Sequence, residues 1–544
     1  MILLLLSAIF IIPVLTGWGK IFENLWGNVW SGFSGNILSG ILGISLAWTL
    51  ISFLYPLNIY IETLTALGGL LFFFKDRLYL SLYQFPRKDY YLLAFISSII
   101  VMAGSYYPYI LDHFGYYIPS IQWIKEYGLV KGISNLDLTL GQMSVWHIFQ
   151  AGFSNFSDPY LRINAILLII YTVYSIEKKS WISLCFIPVL LLFSQSPSPD
   201  LPAIIFSLII LHEIIQKRKN TKLLFAFSVF VFTIKPTMIW LPILAFLYNI
   251  FISQSGFKKL IPGIAILFLF LIKNIWTFGY PIFPVSAGDL GVSWKTDIDI
   301  LKTSSQYAIR KTYDMQYSYE EIQKFSGWES IRNWLFLKGI KSKINILLLL
   351  SLIIFTIYTW IKKQKLITLI WVSLCIKTIM ILAFSAQYRF FIDVFFVIFF
   401  ILFYEYFDRK RSVIIFSVLS TILISVLTFP ALIQQYIPSF RLGNYMAGFE
   451  KEQLYKPSTY QYHDYKEYQI GNLKFNVSKN YPYNFDTPLP AISESYVSED
   501  FKAGIFPQLI DKTDVKKGFI SRKLSPQEKK EAEKVINNIK STDK

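Results

Sequence analysis

Apolar runs follow one another along most of the chain, separated by short polar turns, and this limits what it can fold into more than any other feature. About 17 to 25 mainly apolar residues cross roughly 30 Å of hydrocarbon, and in lipid only a helix or a closed barrel satisfies its own backbone. Helical spans are expected near 2–17, 38–55, 60–74, 90–107, 163–175, 182–196 and 201–215, and then near 222–235, 237–252, 260–276, 345–361, 366–384, 391–406 and 413–430, about fourteen in all. Only 16% of residues are charged, against about 25% in soluble domains, which excludes a soluble globule. The net charge of +17 sits in short basic clusters between apolar runs, a pattern of membrane topology rather than of nucleic-acid binding. Cys185 and Cys375 both lie within apolar runs, so they build neither a disulfide framework nor a zinc ribbon.

Alternate short loops carry very different basic content. Lys20, Lys75, Arg77, Arg87, Lys88, Lys178, Lys179, Lys217, Arg218, Lys219, Lys222, Lys258, Lys259, Lys362, Lys363, Lys365, Arg409, Lys410 and Arg411 fall on one side, nineteen in all. Lys125, Lys131, Arg162, Lys235 and Arg389 are the five on the other. Because Lys and Arg are retained in the cytoplasm, both termini are expected to be extracytoplasmic, with 108–162, 277–344 and 431–544 on that same face. The first apolar run lacks a basic leader and a small-x-small cleavage site, so it is taken as a span rather than a signal peptide. The expected fold is an all-α polytopic membrane protein with three parts: accessory helices over 1–89, a core over 90–430, and a small extracytoplasmic α+β tail over 431–544. In that tail, alternation around Gly471-Asn472 reads as a β-hairpin. Ser525-Pro-Gln-Glu opens a terminal helix with Pro in its first turn.

Chemistry-bearing residues gather on the expected outer face. Asp112 follows the 90–107 span at once and is flanked by Tyr107, Tyr109, His113, Tyr116 and Tyr117. Such a carboxylate can meet a group held at headgroup depth, or can cap a helix within an aromatic belt. An amphipathic stretch over 121–128 should lie along the surface, and the run 145–153 is too short to cross. Asp137 lies deeper in the loop, and Asp200 stands between prolines in Ser196-Pro-Ser-Pro-Asp-Leu-Pro, where it can also serve as a cap. Lys235, Lys273 and Arg389 sit at or near membrane depth, where an ionisable group costs about 2.5–3.5 kcal/mol and marks function by default. Together they would suit a phosphate, Arg389 as a planar fork and the lysines as point charges; singly, each could snorkel from a helix end. His113 and His147 lack the i, i+4 spacing of a helical zinc motif, so a divalent metal is not favoured. No glycine-rich phosphate loop or Gly-x-Ser-x-Gly elbow is present.

The loop aspartate, the surface helix, the train of spans and the tract Lys273-Asn-Ile-Trp-Thr-Phe-Gly-Tyr-Pro-Ile-Phe-Pro284 resemble GT-C-type glycosyltransferases. More closely, Asp112…Tyr116-Tyr117…Trp123-Ile-Lys-Glu-Tyr-Gly128, Asn135-Leu and Ser196-Pro-Ser-Pro-Asp200 look like a bacterial branch of multi-spanning envelope proteins related to that superfamily. The resemblance covers roughly 90–430. It implies a polyprenyl-phosphate-linked sugar donor, an envelope glycan, lipid or protein acceptor, and a place in the bacterial inner membrane. Asp112 would then act as general base or acceptor orienter, with Lys235, Lys273 and Arg389 on the leaving phosphate. Many members carry a second acidic residue directly after the loop carboxylate; His113 stands there here, leaving that role to Asp137 or Asp200. Two other readings remain open: a lipid-linked saccharide flippase or transporter, and an oligosaccharide polymerase or ligase outside the GT-C fold.

The basic-residue asymmetry makes a direct prediction. Reporter fusions at residues 440 and 220 should give opposite signals, the first extracytoplasmic; two cytoplasmic signals would mean a span count wrong by an odd number.

Overall fold

The computed structural model describes residues 1–27, 30–216, 221–436, 447–479 and 483–542. Lys217, Arg218 and Lys219, which enter the charge asymmetry, lie outside the described residues, as does part of the expected start of the tail over 437–446. The chain is mostly α-helical, with a little β structure near its C-terminal end. Among the described residues, six helices are long and apolar enough to cross a membrane: Ile2–Trp26, Phe33–Ser52, Phe257–Phe278, Ile340–Lys362, Lys365–Phe384 and Arg409–Thr428. Ile163–Glu177, Leu223–Ile234, Pro236–Phe251 and Ile392–Phe403 are also apolar but shorter.

One expected span is not a continuous helix. Residues 182–196 instead contain a 3₁₀ turn Trp181–Cys185, a single α-turn Ile187–Leu190 and a second 3₁₀ turn Leu191–Phe193. Pro188 supplies no N–H to an α-ladder, and most of the segment is buried by the surrounding protein, the setting in which irregular backbone is tolerated at membrane depth. Hydropathy alone does not distinguish such a segment from a helix.

Two compact units divide the chain. The first comprises Met1–Pro202, Leu269–Ile300 and Arg411–Lys544. Its N-terminal helices touch backbone to backbone. A β-carbon on Gly17 would lie 1.8 Å from the Gly69 carbonyl oxygen, and one on Gly40 would lie 1.9 Å from that of Leu15. Small residues permit this approach where lipid gives no hydrophobic drive for association. Two carboxylates, the buried Glu62 and the half-buried Glu177, tie these helices to later parts of the unit. Glu62 accepts the backbone N–H groups of Asn155, Phe156 and Ser157 at 2.8–3.2 Å, and Glu177 accepts those of Phe33 and Ser34, both at 2.9 Å.

The C-terminal part of this unit is built as the sequence predicts. Tyr465–Ile470 pairs antiparallel with Leu473–Ser478, the turn being Gly471-Asn472 with glycine at φ +60°. A second hairpin, Ile505–Leu509 with Phe519–Lys523, carries no comparable turn signature. The helix Pro526–Thr542 opens with a reciprocal cap: Glu528 accepts the Ser525 N–H at 2.9 Å, and Ser525 Oγ accepts the Glu528 N–H at 3.3 Å.

The second unit comprises Ala203–Phe268 and Leu301–Lys410. Within it, Lys377 of Lys365–Phe384 donates to Asp393 Oδ1 of Ile392–Phe403, and Trp240 Nε1 donates to Asp393 Oδ2 at 2.8 Å. Both charges are buried, and the sequence reading missed both because each lies inside an apolar run. Truncating one partner strands the other in a low dielectric, which typically costs about 3–5 kcal/mol, whereas apolar replacement of both is often neutral or better. Lys377→Met should therefore lower thermal stability in detergent sharply, and Lys377→Met with Asp393→Leu should recover most of the loss.

Candidate active site

The site lies in the first unit, where the turn after helix Arg87–Gly104 meets the serine- and proline-rich turn before helix Asp200–Ile215. His113–Tyr117 winds as a π-turn whose closing bond runs from the Ile118 N–H to the His113 carbonyl, a geometry often found at functional sites. Asp112 precedes this turn and makes no capping hydrogen bond to it. The capping explanation for Asp112 therefore fails, and its side chain remains half-buried.

Tyr117 is the hub. Its phenol is 2% exposed, bonds Ser198, and feels the carboxylates of both Asp112 and Asp200. Burial first, then the neighbouring Tyr116, Asp112 and Asp200, hold its pKa well above the usual phenol range. It stays a neutral O–H. Ser198 Oγ donates to Asp200 Oδ2 at 3.1 Å and accepts the Asp200 N–H at 3.3 Å, and Asp200, like Asp112, is half-buried. His113 is buried with Nδ1 2.7 Å from Ser196 Oγ, a direct tie between the two turns. Burial, then the charge of Arg162, holds its pKa well below the ordinary histidine value, so it is neutral. The half-buried Tyr116 packs edge-on against Tyr117 at 4.6 Å and His147 at 5.7 Å.

Five of the sequence-selected residues thus come together: Asp112, His113, Tyr116, Tyr117 and Asp200. Lys273 is in the same unit, fully buried, and donates to the Met143 carbonyl at 2.5 Å. Lys235 and Arg389 belong to the second unit and share one aromatic ring, at 5.6 and 5.2 Å from the centre of Phe390. Among the described residues no group of three or more His, Cys, Asp or Glu side chains is arranged to hold a metal ion.

Asp137 sits elsewhere in the first unit. Its Oδ1 accepts Thr139 N–H at 2.9 Å and Thr139 Oγ1 at 2.5 Å, and its Oδ2 accepts Asn484 Nδ2 at 3.3 Å. It joins the 108–162 segment to the C-terminal part, near Tyr496, Glu499 and Asp500. Burial pushes its pKa up to about 7, partly offset by the Thr139 bonds, and holds that of Asp500 well above the carboxylate range.

The sequence reading missed two anchors. Asn164 donates to the carbonyls of Phe193 and Ser198 at 3.1 and 3.0 Å, and its Oδ1 accepts Trp146 Nε1 at 2.8 Å, so it clamps the turn that carries Asp200. Arg162, with no exposed surface, donates to the carbonyls of Gly104 at 2.7 Å, Tyr160 at 2.5 Å and Ser458 at 2.5 Å. Its backbone N–H donates to Asp158 at 2.6 Å. The only signal for it was an aspartate four residues before an arginine at the mouth of an apolar run.

Fold and site together define a mostly helical membrane protein in which two aspartates from separate turns meet around a buried tyrosine. Residues 1–396 match the family model described as "Domain of unknown function (DUF8201)", and the chain belongs to that family. No curated protein and no solved structure matches it.

The junction at Asp137 predicts a pH dependence. A carboxyl whose folded pKa is raised above its unfolded value of about 3.9 contributes stability that is fully present below that value and is lost as pH rises through about 7. Thermal stability in detergent should fall between about pH 4 and 7, and Asp137→Asn should flatten that slope; an unchanged slope would show that this group does not set it.

Proposed function

We propose that the chain is a membrane glycosyltransferase that moves a sugar from a polyprenyl-phosphate-linked donor to an envelope glycan, lipid or protein acceptor. Its place is the bacterial inner membrane, with both termini and the site extracytoplasmic; the fourteen-crossing path belongs to the same proposal. The observation that carries it is the meeting of Asp112 and Asp200 around Tyr117 and Ser198, two half-buried carboxylates directly beside apolar helices.

In this reading Asp112 takes the proton from an acceptor hydroxyl. That oxygen attacks the anomeric carbon, the bond from carbon to the phosphate oxygen breaks, and the lipid phosphate leaves as an anion. The base must come within hydrogen-bond reach of the hydroxyl, and a half-buried carboxylate beside the neutral Tyr117 phenol is suited to do so. Asp200, held by Ser198, orients the acceptor. Lys273, in the same unit, stabilises the departing phosphate. The GT-C resemblance of the sequence supports the same chemistry.

Transfer from purified lipid-linked donors, assayed in detergent where no gradient exists, tests the proposal. Asp112→Asn should insert and purify like wild type while transfer drops about a hundred- to ten-thousand-fold, the usual contribution of a general base. No transfer by wild type with any such donor, together with gradient-dependent saccharide movement in vesicles, would replace the enzyme with a flippase.

A further inference from the structure

Two buried nitrogen side chains of the first unit, Lys273 and His147, lie within electrostatic reach of each other. Lys273 is 1% exposed, and among the described residues its ammonium bonds the Met143 carbonyl, lies 5.4 Å from the Phe270 ring centre and pairs with no carboxylate. An ammonium has three donors, so one carbonyl leaves two unused. Met143 immediately precedes Ser144, which caps the helix Val145–Gly152. The lysine is therefore held near the positive end of a helix dipole, where a cation is disfavoured and an anion favoured.

His147 adds a second, independent sign. It is fully buried, and its Nδ1 accepts the Ser144 N–H at 3.3 Å as the reciprocal half of the helix cap. That bond places the proton of the neutral ring on Nε2. Burial, then the nearby charge of Lys273, lowers its pKa to about 3, so the ring remains neutral at any physiological pH. Among the described residues, Nε2 has no hydrogen-bond partner. A buried N–H donor left unmade costs free energy comparable to a lost hydrogen bond and calls for an explanation. The ring packs on Tyr117 at 4.9 Å and on Tyr116 at 5.7 Å, which places it next to the aspartate pair.

We infer that His147 and Lys273, at the N-terminus of Val145–Gly152, form a subsite for a phosphate or diphosphate group, His147 donating Nε2–H to a phosphate oxygen and Lys273 neutralising its charge. A tetrahedral phosphate offers several acceptor oxygens at once, which suits an imidazole N–H, an ammonium and a helix N-terminus together. The assignment deepens the glycosyl-transfer reading and rests on it for its role, since this is where the donor's leaving group would be held. It makes His147 a positioning residue for that anion.

Isosteric variants separate this role from capping. Gln places a side-chain N–H near the position of His Nε2, whereas Asn places an acceptor near that of Nδ1. In the full chain purified in detergent, calorimetry with a short-chain prenyl phosphate, the matching prenyl alcohol and inorganic phosphate should show binding that requires the phosphate. His147→Gln should keep that affinity within a few-fold, and His147→Asn should weaken it about ten- to a hundred-fold, as expected for one hydrogen bond to a charged group. If His147→Asn fails to fold, Lys273→Met against Lys273→Arg carries the same test, with loss expected only in the first. Inorganic phosphate matching prenyl phosphate would identify a free phosphate as the ligand; binding by the lipid alone would identify a headgroup, and either outcome supports the subsite. Absent binding, equal affinity in all variants, or retention by Asn with loss in Gln would overturn it. Residue-dependent phosphate binding without sugar transfer would leave the subsite standing and remove the enzyme, while transfer indifferent to residue 147 would do the reverse.

Discussion

A single guanidinium with no access to solvent holds the site together. Arg162 cannot give up its proton at any ordinary pH, so burying it demands that its donors be met, and backbone carbonyls meet them at Gly104, Tyr160 and Ser458. Gly104 ends the helix that leads to Asp112, and Arg162 itself precedes the helix whose second residue, Asn164, clamps the Ser198 turn. The positions of Asp112 and Asp200 are thus both referred to one side chain. Its charge also helps keep His113 neutral, which leaves that ring as a tie to Ser196 rather than a second cation.

Around that anchor the polar groups fall into two kinds. Asn164, Asp158 and Glu62 are spent on backbone or side-chain partners and fix geometry. By contrast, among the described residues the buried His147 ring keeps an unmet donor at Nε2. Groups left incompletely satisfied in an otherwise well-bonded interior are where a protein retains chemistry at the expense of stability. In the second unit, Lys377, Asp393 and Trp240 illustrate the first kind, a buried pair with a third residue on its remaining oxygen.

Much of the site was legible because its residues break a pattern. A carboxylate directly after an apolar run and another between two prolines stand out in any window, and Asp112, Tyr117 and Asp200 do come together. Arg162 and Asn164 were not legible as anchors, since what gives them weight is burial against carbonyls far along the chain. For the fold, helical membrane character, the Gly471-Asn472 hairpin and the Ser525 cap follow from local periodicity and turn chemistry. The broken stretch after Trp181 did not, because an apolar run buried in protein has the same hydropathy as one facing lipid. Similarly, the helices Ile298–Thr312 and Gly327–Leu335 within an expected loop are set by caps such as Ser326 with Glu329 rather than by hydrophobicity.

The reach of those bonds along the chain has a temporal side. Arg162 meets the Ser458 carbonyl 296 residues downstream, and Asp137 meets Asn484 347 residues downstream. At about 5–20 residues per second, a ribosome takes roughly 15 to 70 s to supply those partners after the first halves have been made. For that interval a guanidinium and a carboxylate destined for burial must stay hydrated or borrow temporary partners. The candidate site therefore cannot close around its reactive groups until the last quarter of the polypeptide has emerged, and a nascent chain interrupted before that point would carry every catalytic candidate but not the bonds that hold them in register.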